Sequence, residues 1–127
     1  MQVLLADDQT KLSETMKLWL EQIAGATLVG VALNVTSLLE QVQRVHPDIL
    51  LLDWKLDGLV DERGHRQLLA RLHALLPTMR IVALTTEPIG PHMARQYAVD
   101  AFVSKSETPD YLAQVLQQLH QVINESR

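Results

Sequence analysis

The chain has no cysteine, so neither disulfides nor thiolate metal sites are available to it. No apolar stretch approaches the roughly 20 residues needed to cross a bilayer. Basic residues are short too: 11 Lys and Arg stand against 15 Asp and Glu, a net charge of −4. That balance argues against direct binding of nucleic acid, which needs a basic face. Repeats, low-complexity tracts and internal linkers are lacking. The N-terminal MQVLLADDQ turns acidic after a few apolar or small residues, unlike a signal peptide. The expectation is a cytoplasmic protein with no membrane contact. What is present is 47% hydrophobic residues in 127, the length of one domain with one substantial core, spanning residues 1–127.

The apolar pattern alternates between short continuous runs and helical periodicity. Residues 3–6, 27–32, 49–52, 81–84 and 101–103 read as strands. Between them, Leu12, Met16, Trp19, Leu20 and Ile23 repeat at helical spacing until Gly25. Asn34 reads as the N-cap of a helix burying Leu38, Leu39, Val42 and Val45, which His46-Pro47 ends. After a polar connection at 54–63 with Gly58 and Gly64 flanking its second half, Leu68, Leu69, Leu72 and Leu76 form a third stripe up to Pro77. Pro88, Gly90 and Pro91 mark a turn, with Pro91 suited to the first position of a short helix. Thr108-Pro109-Asp110 opens the last helix, which carries Leu112, Val115, Leu116, Leu119 and Ile123. Five strands alternating with five helices predict a doubly wound α/β domain, with a parallel sheet of order 2-1-3-4-5.

In such a sheet ligands bind at the carboxyl ends of the strands flanking the switch point, here strands 1 and 3. Asp7 and Asp8 end the first strand, Asp53 the third, Thr85 the fourth and Lys105 the fifth. Neighbouring strands are only about 4.8 Å apart, so three carboxylates converge with a hydroxyl and an ammonium. Acids so close do not all stay ionised without a cation, and oxygen-only ligands suit Mg²⁺. Asp53 is then the candidate nucleophile for a phosphoryl group, with Lys105 neutralising charge on it and Thr85 hydrogen-bonding another oxygen. Thr86 takes the role of Thr85 if the register differs by one.

In LLADDQ, LLLDWKLDG, ALTT and AFVSKSETPDYL, taken in order, the chain resembles the receiver domain of two-component response regulators over essentially its whole length. The first and last motifs are most similar to receivers that precede a helix-turn-helix DNA-binding domain. The resemblance implies a flavodoxin-like fold and phosphorylation of Asp53 by a histidine kinase or phosphotransfer protein. It implies Mg²⁺ held directly by Asp8 and Asp53, by Asp7 largely through water, and by the backbone carbonyl of Lys55. It implies a switch in which Thr85 moves toward the phosphoryl group and Phe102 fills the space it leaves. The face built from the last two helices and the last strand then signals to an output domain, an effector protein or a second copy of the chain. Such a protein catalyses only its own phosphorylation and dephosphorylation, and its output is expected to be transcription.

Departures from the pattern fall on the signalling side. Asp57 and Ser106 stand where receivers commonly have proline, and Ala98 and Ala101 where glycines are usual. VDERG lengthens the connection after Asp53 by about three residues, and Pro88 and Pro91 shorten the fourth helix. Two other functions stay open. A pseudo-receiver would use the fold for protein contacts alone, against which the retained acids and Lys105 speak. A phosphohydrolase of the haloacid-dehalogenase type would want an acid two residues after the nucleophile, where Lys55 stands. The histidines at 46, 65, 73, 92 and 120 have no metal-ligand spacing and read as surface or helix-end residues.

Overall fold

The structure, a computed structural model, describes residues 1–23 and 25–125, with side chains for all of these except 10, 12 and 122–125. The strands are β1 (Gln2–Ala6), β2 (Thr27–Ala32), β3 (Ile49–Asp53), β4 (Arg80–Thr85) and β5 (Ala101–Ser104). The helices are α1 (Thr10–Glu21), α2 (Val35–Val45), α3 (Glu62–Leu75), α4 (Met93–Tyr97) and α5 (Pro109–Glu125). All strand pairs are parallel, in the expected order β2-β1-β3-β4-β5.

Alternate side chains of each strand point to opposite faces, and each face has its own core. Leu4, Leu50, Leu52, Ile81 and Phe102 pack with Leu38, Val42, Leu68 and Leu72 of α2 and α3. Val3, Leu5, Leu51, Val82 and Val103 pack with Met16, Leu20, Leu112 and Leu116 of α1 and α5. β3 is buried along its whole length, as a central strand covered on both sides must be. Trp19, Val45, Leu76, Val115 and Leu119 are only half-buried, at the margins of their helix faces. The side chains of Leu12 and Ile123 lie outside the described residues.

Local signals fix most element ends. Asn34 Oδ1 accepts the Ser37 N–H at 2.8 Å, and His46 leaves the right-handed region at φ 51° before Pro47. Thr108 Oγ1 accepts the Tyr111 N–H at 3.2 Å, with Pro109 in the first helical position. Two expectations are corrected. The connection after β3 is shorter than 54–63, because Asp61 caps α3 by accepting the Gly64 N–H at 2.8 Å. That connection is not wholly polar either, since Trp54 and Leu56 are buried. Pro91 does not open α4: it follows Gly90 in a turn closed by the Met93 N–H on Gly90 O, and α4 starts at Met93.

Candidate phosphoryl-transfer site

Register carries the site residues to one edge. Ala6 lies opposite Leu52, so Asp7 and Asp53 leave adjacent strands at the same level. Asp53 in turn lies opposite Leu84, and Thr85 opposite Ser104. The Lys105 N–H donates to Thr85 O at 2.9 Å, which extends the ladder one residue and aims the lysine back over the edge.

There its ammonium sits 3.1 Å from Asp7 Oδ2 and 3.1 Å from Asp53 Oδ1. Asp7 is fully buried and Asp53 nearly so, whereas Asp8 is exposed. One oxygen from each of Asp7, Asp8 and Asp53 lies within 4.8 Å of the others. Asp7 Oδ1 accepts the Gln9 N–H at 2.8 Å and Asp53 Oδ1 the Lys55 N–H at 3.1 Å. Thr85 is buried, and its hydroxyl oxygen accepts the Glu87 N–H at 3.0 Å.

The electrostatics follow from burial. Taking the Asp7 carboxylate out of water raises its pKa, and the Asp53 charge adds to this; the Gln9 N–H and Lys105 oppose without cancelling it. Burial alone would lower the Lys105 pKa, but the hydrogen bonds and charges of Asp53 and Asp7 outweigh it and hold the ammonium charged. Three carboxylates against one lysine leave the cluster short of positive charge.

All the sequence-derived residues, Asp7, Asp8, Asp53, Lys55, Thr85, Phe102 and Lys105, stand on this edge or directly behind it. Phe102 is already buried, edge-on to the Trp54 ring at 4.9 Å and to Tyr97 at 6.2 Å. Two residues were missed. Trp54 is the hub of an aromatic cluster with Phe102, Tyr97 and His65, and His65 stacks on it at 4.0 Å. His65 lies near a helix end, as read, but it is half-buried, with both ring nitrogens on backbone carbonyls. The faint sequence signal was an aromatic directly after the strand-ending acid.

Residues 3–117 match the family model of the response regulator receiver domain, and the chain belongs to that family. No curated protein matches its sequence. Solved structures share the fold at low identity. The signal receiver domain of a modulated diguanylate cyclase from Desulfovibrio desulfuricans G20 has a TM-score of 0.79 at 22% identity, over 99% of this chain and 98% of its own. The isolated receiver domain of RcsB from Salmonella enterica serovar Typhimurium, in the presence of phosphomimetic BeF3⁻, gives 0.81 at 22%, over 95% and 88%. A LuxR-family DNA-binding response regulator from Staphylococcus aureus gives 0.76 at 19%, over 93% and 97%.

Proposed function

We propose that this receiver domain is a phosphoacceptor switch, modified on Asp53 in a Mg²⁺-dependent reaction by a histidine kinase or phosphotransfer protein. The observation that carries the proposal is the Asp53 carboxylate, held by Lys105 at 3.1 Å beside Asp7 and Asp8. The donor set suits the cation: all ligand atoms are oxygens, and the cluster carries more negative charge than Lys105 offsets. Asp8, Asp53 and the Lys55 carbonyl would hold the ion, with Asp7, whose oxygens already serve Gln9 and Lys105, acting through water. When bound, Mg²⁺ supplies charge neutralisation on the transferring phosphoryl group.

The remaining chemistry belongs to the chain. Asp53 Oδ1 faces Lys105 and the Lys55 N–H, so its second oxygen is the one to attack phosphorus. The new O–P bond forms as the phosphohistidine P–N bond breaks, and the electron pair stays on the donor's nitrogen. Lys105 neutralises one phosphoryl oxygen, and the Thr85 hydroxyl donates to another. The signal leaves through Phe102 and the surface of α4, β5 and α5, toward an output domain, an effector or a second copy. Transcription is the favoured output, given the DNA-binding regulators among the structural relatives. Incubation with Mg²⁺ and acetyl phosphate should give one stable covalent phosphate. No label would favour a protein-contact module, and continuous release of phosphate a hydrolase.

A further inference from the structure

His65 stands in the first turns of α3, and its Nε2 lies 2.6 Å from the carbonyl oxygen of Trp54. Its Nδ1 lies 2.7 Å from Asp61 O, and its ring stacks on the Trp54 indole at 4.0 Å. Both oxygens only accept, and a neutral imidazole carries a single N–H, so the tautomer protonated on Nε2 is the one that donates to the Trp54 carbonyl.

The Trp54 carbonyl belongs to the same peptide unit as the Lys55 N–H. That N–H donates to Asp53 Oδ1 at 3.1 Å. A peptide unit is planar, so fixing its oxygen fixes the direction of its N–H. A hydrogen bond to the oxygen also polarises the unit and strengthens the N–H as a donor. The neighbouring units of the loop are anchored separately. The Trp54 N–H donates to Leu84 O at 2.8 Å, and Asp57 O accepts the Val35 N–H at 3.0 Å. Gly58 turns the chain at φ 101°, where a Cβ would come within 2.9 Å of Val35 Cγ2. Among the described residues, His65 is the partner that reaches the Trp54–Lys55 unit from its oxygen side.

We propose that His65 is a positioning residue for the phosphorylation site, aligning the Asp53 carboxylate through the Trp54–Lys55 peptide. The inference rests on the reading of Asp53 as the phosphoacceptor. It reaches that residue through backbone, without touching the phosphoryl group.

The test compares wild type with His65→Ala, His65→Gln and His73→Ala. Alanine suits a helix, so His65→Ala keeps α3. Glutamine restores one donor. His73 is a control: it also sits on α3 and bonds a carbonyl, Ala98 O at 2.8 Å, but on the α4 side. Two quantities are read: the rate of labelling by acetyl phosphate at saturating Mg²⁺, and the Lys55 amide proton shift and exchange rate by NMR without metal. His65→Ala should label about tenfold more slowly, the low end of what loss of an outer-shell partner causes. Its Lys55 amide should move upfield and exchange faster. His65→Gln should recover part of both effects, and His73→Ala should match wild type.

A Lys55 amide unmoved by His65→Ala, or a labelling loss equal in His73→Ala, would overturn the proposal. If the wild type takes no label, the phosphoacceptor reading fails instead. The Lys55 amide then still decides whether His65 sets the geometry of the Asp53 carboxylate.

Discussion

Lys55 Nζ lies 3.4 Å from Glu87 Oε1, a link between two residues that each follow a site residue, Asp53 or Thr85, by two positions. The pair joins the segments that follow β3 and β4, and as a lid it would shield a phosphoryl group on Asp53. Both side chains are more than half exposed, so the pair adds only about 0–1 kcal/mol to stability. Its position matters more, because hydrolysis of an aspartyl phosphate needs one water placed in line with the bond. A lid adding about 0.5–1 kcal/mol to that barrier slows loss about two- to fivefold. Lys55→Ala and Glu87→Ala should both shorten the phosphoryl lifetime under identical Mg²⁺. Unchanged or longer lifetimes would make the two residues simple solvated rim charges.

Asp53 is expected to be the sole phosphorylation site, being the one acid that ends the fully buried β3 beside the Asp7–Asp8 pair. Mass spectrometry after treatment with acetyl phosphate and Mg²⁺ should find one phosphate on wild type and none on Asp53→Asn. Lys105→Ala should still bind the metal, since none of the proposed ligand oxygens is removed, but should fail to pass the signal to the output face.

Removing a carboxylate from the site should stabilise the metal-free fold. At an effective dielectric of about 20, charges 4.8 Å apart repel by about 3.5 kcal/mol, and the 3.1 Å attraction to Lys105 returns about 5 kcal/mol. Asp7 meets the Asp53 repulsion together with its burial, and the two outweigh its bonds to Lys105 and the Gln9 N–H, so the balance is against its charge. The raised pKa of Asp7 has the same sign: the folded state holds that proton more tightly than the unfolded, so ionisation above pH 3.8 costs stability. Asp7→Asn should gain about 1 kcal/mol, roughly 4 °C in Tm at this size. Added Mg²⁺ should raise the wild-type Tm more than the variant's. A lower Tm for metal-free Asp7→Asn would mean that the Lys105 pair outweighs the repulsion.

Ala98 ends α4 at φ 56°, a left-handed conformation that costs a residue with a Cβ about 1–2 kcal/mol. Ala98→Gly should therefore stabilise the chain by up to about 1 kcal/mol, after the unfolded state's extra freedom is counted. Urea denaturation should show a higher midpoint with unchanged slope. A lower midpoint would show that the alanine methyl contributes packing that outweighs its strain.

The strand order and the five converging residues were legible because each acid, hydroxyl or ammonium followed an unbroken apolar run, and parallel strands align such ends. The α3 boundary was harder. Asp61 and Gly64 form a capping pair, but Gly64 beside a run of charges reads as loop until the 2.8 Å bond between them is seen. The Gly90–Met93 turn shows why Pro91 misled: proline suits the second position of a turn as well as the first of a helix. His65 was illegible for a different reason. Its partner Trp54 lies eleven positions back, across a loop whose path is set by Gly58, Val35 and the Asn34–Asp57 bridge. No periodicity links the two.

The last expectation concerns how far the signal travels. Drawing the Thr85 hydroxyl toward a phosphoryl oxygen would pull on its 3.0 Å bond from the Glu87 N–H and so on the start of the β4–α4 connection. Behind it, Phe102 is already packed edge-on to Trp54 at 4.9 Å, so its ring has little room to turn further inward. The displacement should pass from Phe102, without a large turn of its ring, through the aromatic cluster to Tyr97 and α4, a helix of only five residues. Arg66 of α3 resists that motion: it reaches Gln96 O at 3.3 Å and lies over the Tyr97 ring at 4.9 Å. Amide exchange on phosphorylation should therefore change within about residues 86–112, with Arg66→Ala enlarging the response around α4. Thr85→Ala should take the phosphate yet lose most of the change. A response confined to α2 and α3, or one that survives in full in Thr85→Ala, would show that the signal leaves by another route.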